Sequence, residues 1–140
     1  MKRGIVKFAY RPSPLTHKVS NIGATPFRNI FVEILPSSDA PASAPSPRAD
    51  AGYELVLENE RVRILRLVLA PGQFIDGRKH TLRGVRIAVS GGEILTEGEG
   101  EKSRTVKFEP GNYEWHGKGT KYSLRNLGLT AFEAVEIQLK

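Results

Sequence analysis

The chain has no cysteine, one methionine, one tryptophan and three histidines among its 140 residues. Without cysteine there is no disulfide framework, no thiolate metal ligand and no cysteine nucleophile, so stability has to come from packing. No apolar run approaches the roughly 18 residues that a spanning helix requires. The basic start, MKRGIVKFAYRPSPLTHK, is not followed by the apolar stretch of a signal peptide. No membrane role is expected, and the expected location is the cytoplasm. Long stretches with helical hydrophobic period are also missing, which leaves strands as the way to bury apolar surface.

What is there is 39% hydrophobic residues, enough for one modest core, and a formal charge of +6. The charge is unevenly spread. Residues 1–35 carry Lys2, Arg3, Lys7, Arg11, Lys18 and Arg28 against Glu33 alone, whereas the segment from residue 51 onward is almost balanced and alternates in sign along its strands. Alternating charge is the mark of a solvated face. A polyanion-binding role would therefore rest on the N-terminal segment alone, and nucleic acid is not the expected partner.

Residues 36–52 are dominated by Pro, Ala and Ser and read as a linker. Beyond it lie short runs of β-branched and aromatic residues separated by glycine-bearing turns, predicting strands near 53–57, 61–69, 84–90, 93–96, 103–108, 112–116, 121–126 and 131–139. In 61–69 the apolar positions are Val62, Ile64, Leu67 and Leu69, with a slip near Leu65 that suggests a bulge. In 131–139, Phe132, Val135, Ile137 and Leu139 are the inward candidates after a one-residue adjustment. Short strands without helices predict a sandwich or a closed barrel. The turns Ala70-Pro71-Gly72 and Glu109-Pro110-Gly111 each combine a fixed φ with a permissive residue.

The chain also repeats itself at an offset of 105 residues. Thr16–Leu35 lies over Lys121–Lys140, with Asn21 on Asn126, Gly23 on Gly128, Thr25 on Thr130 and Phe27 on Phe132. Upstream, Phe8 falls on Tyr113 and Tyr10 on Trp115. Residues 1–35 thus look like the last strands of a preceding barrel whose front half is missing. A few strands cannot bury a face alone, so a homodimer is expected, with strand exchange through this segment.

The stretch APGQFIDGRKHTLRGVRIAVSGG, followed by FEPGNYEWHGKGTKYSLRNLG, resembles the two motifs of the cupin superfamily, G-x5-H-x-H-x(3,4)-E-x6-G and G-x5-P-x-G-x2-H-x3-N. The resemblance covers residues 53–140, and more faintly 5–35 as the back half of another copy. It implies an all-β fold, a cupin or double-stranded β-helix barrel of the jelly-roll type. It also implies three units: 1–35 as a partial β segment, 36–52 as linker and 53–140 as a complete barrel. Set on Gly72 and Gly111, the motifs put ligand positions at Arg78, His80, Gly84 and Tyr122, and the asparagine at Asn126. Of these four positions only His80 keeps a ligand.

Cupin metals are held by about three imidazoles and a carboxylate, so one histidine is not a site, and a guanidinium at position 78 would repel a divalent ion. No metal and no cofactor are expected. The remaining route would join His80 to His116 with Asp76 or Glu114, but alternation should turn one of Trp115 and His116 outward. In the N-terminal repeat, His17 falls where Tyr122 stands in the complete copy.

A barrel mouth formed as in the family would be lined by Gln73, Arg78, His80, Trp115 and Tyr122. Such a set suits a small anionic or polar ligand. Two functions follow: a ligand-binding or dimerising module without the usual metal site, or a metal-independent isomerase, epimerase or lyase using His and Tyr as acid and base. Under the alternative structural assignment, Tyr122 and Trp115 are core aromatics and Arg78 a solvated loop residue.

Overall fold

The computed structural model describes residues 4–35 and 52–140; the linker expected at 36–52 lies, apart from Gly52, outside the described residues. Among the described residues, nine strands follow one another without a helix: β1 (Tyr53–Glu58), β2 (Val62–Leu69), β3 (Phe74–Lys79), β4 (Arg83–Ala88), β5 (Gly92–Gly98), β6 (Arg104–Phe108), β7 (Tyr113–His116), β8 (Lys121–Asn126) and β9 (Phe132–Leu139). They form a five-stranded sheet, β1-β2-β9-β4-β7, and a four-stranded one, β3-β8-β5-β6. Every pairing is antiparallel. No helix among the described residues is long and apolar enough to cross a membrane.

One strand, β3, was not anticipated from hydrophobic pattern. Its sequence FIDGRK has a single buried apolar residue, Ile75, and Gly77 adopts a left-handed φ of 57° where the pairing with β8 shifts register. A bulged edge strand with mostly solvated side chains shows no alternation for periodicity to detect.

The core lies between the sheets. Leu65, Leu67, Leu69, Ala88, Phe132 and Ala134 from the larger sheet meet Ile75, Ile94, Phe108 and Leu124 from the smaller. Each large side chain contributes about 1.5–3 kcal/mol by leaving water. The irregularity expected near Leu65 is there, but on the neighbouring strand: β2 pairs with β9 in unbroken register from Val62 to Leu69, whereas its pairing with β1 shifts register between Leu55 and Leu57, opposite Leu65 and Ile64. Both faces of β2 are apolar because both are covered. Val62 and Ile64 point away from the core and are packed by Val135, Ile137 and Leu139, with Val6 and Ile34 of the N-terminal segment lying over them.

The same face assignment corrects β9. Its inward residues are Phe132, Ala134, Glu136 and Gln138, while Val135, Ile137 and Leu139 belong to the outer cluster. The apolar phase of β9 was expected to face inward. It faces outward instead, and the phase carrying Glu136 enters the barrel.

Two turns use the same chemistry. Gly72 and Gly111 adopt φ of 74° and 95°. After each, an amide side chain reaches back to accept a backbone N–H: Gln73 Oε1 from Ala70 at 2.9 Å, and Asn112 Oδ1 from Glu109 at 2.8 Å. A third amide, Asn126, is fully buried and donates to Leu69 O and Thr130 O while accepting from Gly128 N.

Candidate functional site

Register brings a row of polar side chains to the inner face at one end of the larger sheet. Gly84 stands opposite His116 on one side and Gln138 on the other; one step along, Arg86 stands opposite Glu114 and Glu136. Residues directly opposite in an antiparallel pair share a face, so His116, Gln138, Arg86, Glu114 and Glu136 project together. His80, just after β3, is anchored by its backbone, which donates to Thr120 O at 2.9 Å and accepts from Gly119 N at 2.7 Å. β8 adds Tyr122 and β1 adds Tyr53.

At the centre is Glu136, 1% exposed. Its Oε2 accepts from Arg86 Nη2 at 3.2 Å and from Tyr53 Oη at 3.3 Å, and its Oε1 accepts from Gln138 Nε2 at 2.8 Å. Tyr53 Oη lies 2.9 Å from Tyr122 Oη. Three rings stack against this carboxylate: His116 on His80 at 3.6 Å between centroids, and His80 on Tyr122 at 4.1 Å. His80 Nδ1 and His116 Nε2 each approach Glu136 Oε1 to 3.6 Å, close enough for charge attraction and too long for a hydrogen bond of ordinary geometry.

The electrostatics follow from burial and pairing. Burial alone would raise the Glu136 carboxyl, but the approach of His80 and the positive charge of Arg86 outweigh it and hold Glu136 well below the usual carboxylate range. Burial opposes the charge on Arg86, yet the surrounding Tyr53, Glu136, Tyr122 and Glu114 keep it protonated. Burial lowers His116 to about 4 in spite of Glu136, so this imidazole is neutral at neutral pH. The Leu82 backbone favours its protonated form only weakly and makes no hydrogen bond of ordinary geometry with it. Burial raises both phenols, Tyr53 and Tyr122. Among the buried side-chain atoms, His80 Nδ1, His116 Nδ1 and Nε2, Arg86 Nε and Gln138 Oε1 have no hydrogen-bond partner. Such orphans mark the place where something else must supply the partner.

The cluster floors a cavity of about 340 Å³ lined by His80, Arg86, His116, Tyr122, Thr120 and Ser123, with Glu97, Glu101, Arg104 and Glu114 at its rim. Of the five candidate lining residues, His80 and Tyr122 meet in it. Arg78 lies opposite Tyr122 on the edge strand β3, half-buried and outside the cavity lining. Gln73 spends its side chain on the Ala70 turn. Trp115 touches the cavity edge but is 68% exposed, on the face opposite His116.

Alternation does turn one of Trp115 and His116 outward, and it is Trp115. Sequence pattern overlooked Arg86, Glu136, Gln138 and Tyr53. The available signal was a pair of charged residues in the inward phase of two otherwise apolar strands, together with Gly84 at the motif's carboxylate position.

No protein-family model matches the chain, and no curated protein matches it. Solved structures do. A cupin domain from Bordetella pertussis Tohama I is 25% identical with a TM-score of 0.59, covering 63% of this chain and 91% of that one. An RmlC-like cupin family protein with a double-stranded β-helix fold from Methanocaldococcus jannaschii is 19% identical at a TM-score of 0.55, covering 70% and 90%. A cupin superfamily protein from Desulfitobacterium hafniense DCB-2 is 12% identical at 0.50, covering 69% and 83%.

Proposed function

The chain has the cupin fold, a double-stranded β-helix, and from that premise we propose that it binds a small polar molecule at the barrel mouth without the ligand set of the family's motifs. The observation that carries this reading is the stacked His116–His80–Tyr122 trio, in which His80 Nδ1 and both His116 nitrogens lack hydrogen-bond partners at the floor of a cavity of about 340 Å³. That volume lies at the lower end of ligand cavities, which run from roughly 300 to 1,000 Å³. Arg86 and Arg104 are countered by Glu97, Glu101 and Glu114 along the lining. A neutral, hydroxyl-rich ligand is therefore favoured over a strongly anionic one.

Chelator-treated protein screened by thermal shift against small sugars and small carboxylic acids tests this. Binding raises the melting temperature by mass action, and Tyr122→Phe or His116→Ala should remove the shift. If no compound of either class shifts the wild type, the ligand reading fails.

One observation favours a catalytic version. Tyr122 keeps its proton because burial raises it, while His116 is held neutral at the far end of the same stack, with His80 between them. A phenol that can donate and an imidazole that can accept can serve as general acid and general base in a metal-independent isomerisation or elimination. Deuterium entering a bound ligand from heavy water would support this version, and its absence for every ligand that binds would remove it. We also infer that the chain self-associates through residues 4–35, whose apolar side chains are largely exposed.

A further inference from the structure

The charges around the barrel mouth do not cancel. Arg86 is paired with Glu136 at 3.2 Å, and Arg104 stands 3.8 Å from Glu114. Of the other two carboxylates lining the cavity, Glu97 accepts from the Ser103 hydroxyl at 3.2 Å, and among the described residues no cation pairs with Glu101. We propose that the ligand of the barrel mouth carries one positive charge: it is a hydroxyl-bearing primary amine of the amino-sugar kind, and Glu101 receives its ammonium group. This rests on the reading of the cavity as a ligand site and names the chemical class that the cavity takes.

Register places that carboxylate. β5 and β8 pair so that Gly98 stands opposite Tyr122, and both residues line the cavity. Directly opposite residues share a face, so the side chain that Gly98 lacks would have stood in the mouth beside the phenol. Glu101 fills the space: a Cβ at Gly98 would lie 3.1 Å from its Oε2. The turn that returns it is closed by Glu101 N, which donates to Gly98 O at 3.2 Å. Glu97 belongs to the other phase of β5, opposite Ser123.

A carboxylate alone marks no site. The same cavity holds His116, whose side chain is 8% exposed with neither ring nitrogen partnered, and Arg86, whose Nε also lacks a partner. A neutral imidazole offers one N–H and one lone pair, and an arginine Nε offers one N–H. The floor therefore calls for groups that both donate and accept, as hydroxyls do, and the mouth calls for a charged donor. One molecule with hydroxyls at one end and an ammonium group at the other meets both demands. A neutral polyol filling the mouth would strip water from Glu101 without supplying a counter-ion, which costs free energy. A carboxylic acid would add repulsion to that cost.

The full chain is titrated by calorimetry, at neutral pH and low salt, with two matched pairs: D-glucosamine against D-glucose, and serinol against glycerol. The amine of at least one pair should bind about fivefold more tightly than its neutral partner, the size of effect that a partly exposed ion pair gives. Added salt should shrink the preference. Glu101→Gln should bring the ratio to about one. Glu99→Gln, which removes a carboxylate paired with Lys121 outside the cavity lining, should keep it, with circular dichroism confirming that each variant is folded. Amines that bind no better than their neutral partners, or a preference that survives Glu101→Gln, overturn the inference; binding of the neutral compounds then leaves the ligand reading standing. Binding by none of the four also overturns it, and the ligand reading falls as well only if the wider set of sugars and acids fails.

Discussion

At Gly84 a methyl group has nowhere to go. A Cβ would collide with the backbone oxygen of Ile137 and crowd the His116 ring. Backbone cannot yield as a flexible side chain does, so Gly84→Ala should cost about 3 kcal/mol, at the upper end of overpacking penalties. Urea denaturation measures it, and an unchanged midpoint would mean that β4 and β9 separate more freely than their spacing implies. Arg86 and Glu136 make the complementary case. Removing one member of a buried pair leaves the other charge unsolvated and costs about 3–5 kcal/mol, whereas removing both can be nearly neutral. In chelator-treated protein, Arg86→Met and Glu136→Gln should each destabilise by that order, and the double variant by less than their sum. Additive losses would show that the two residues do not stabilise each other.

Among the strands, those with conventional signals were legible in the sequence: β-branched runs between Pro-Gly and Gly-Gly turns gave eight of the nine to within a few residues. β3 was lost because Gly77 and solvated side chains erase its period. Orientation was lost in β9, where hydrophobicity was equated with the interior. Val135 and Ile137 are covered from outside by Val6 and Ile34, and a sheet covered on both faces gives periodicity no way to choose between them. The candidate site was hidden for the same reason, since Glu136 rides on the phase taken to be outward. At the same end of β9, where Arg63 stands opposite Gln138, Glu58 accepts from Arg63 at 2.9 Å and from Lys140 at 2.7 Å, tying β1 to β2 and to the residue after β9. Hydrogen bonds from Lys140 and then Arg63 lower its pKa against the opposing effect of burial. A depressed carboxylate stabilises the fold above its ordinary pKa and loses that contribution as pH falls through the folded value, because the unfolded chain takes up the proton first. The stability difference between wild type and Glu58→Gln should thus be present at neutral pH and vanish in acid. A difference that does not change with pH would exclude the clasp.

Over the whole molecule, residues 4–35 carry strand sequences without strands. Asn21 donates to Thr25 O at 2.8 Å and accepts from Gly23 N at 3.0 Å, repeating what Asn126 does with Thr130 and Gly128. His17 meets Phe31 at the positions where the barrel has Tyr122 and Glu136. The local turn therefore forms, while no residue of the segment pairs in a sheet. In the barrel, β8 and β9 each sit between two neighbours, whereas the described residues of the segment pair with none of the edge strands β1, β7, β3 and β6. What it offers to solvent is apolar, with Ile22 fully exposed and Tyr10, Phe31 and Leu35 about two-thirds exposed. Exposed apolar strand sequence of this kind seeks an edge, and a second copy of the chain would bring both a free edge and an equal segment. Light scattering should find a concentration-dependent dimer. Deleting residues 1–35 is a poor test, since it also uncovers Val62, Ile64 and Val135 by removing Val6. Phe31→Asp with Leu35→Asp is cleaner: these side chains are solvated in the single chain, so the melting temperature of the monomer should hold while association is lost. A wild-type chain that stays monomeric at high concentration, or a dimer indifferent to both charges, would assign the segment to some other partner.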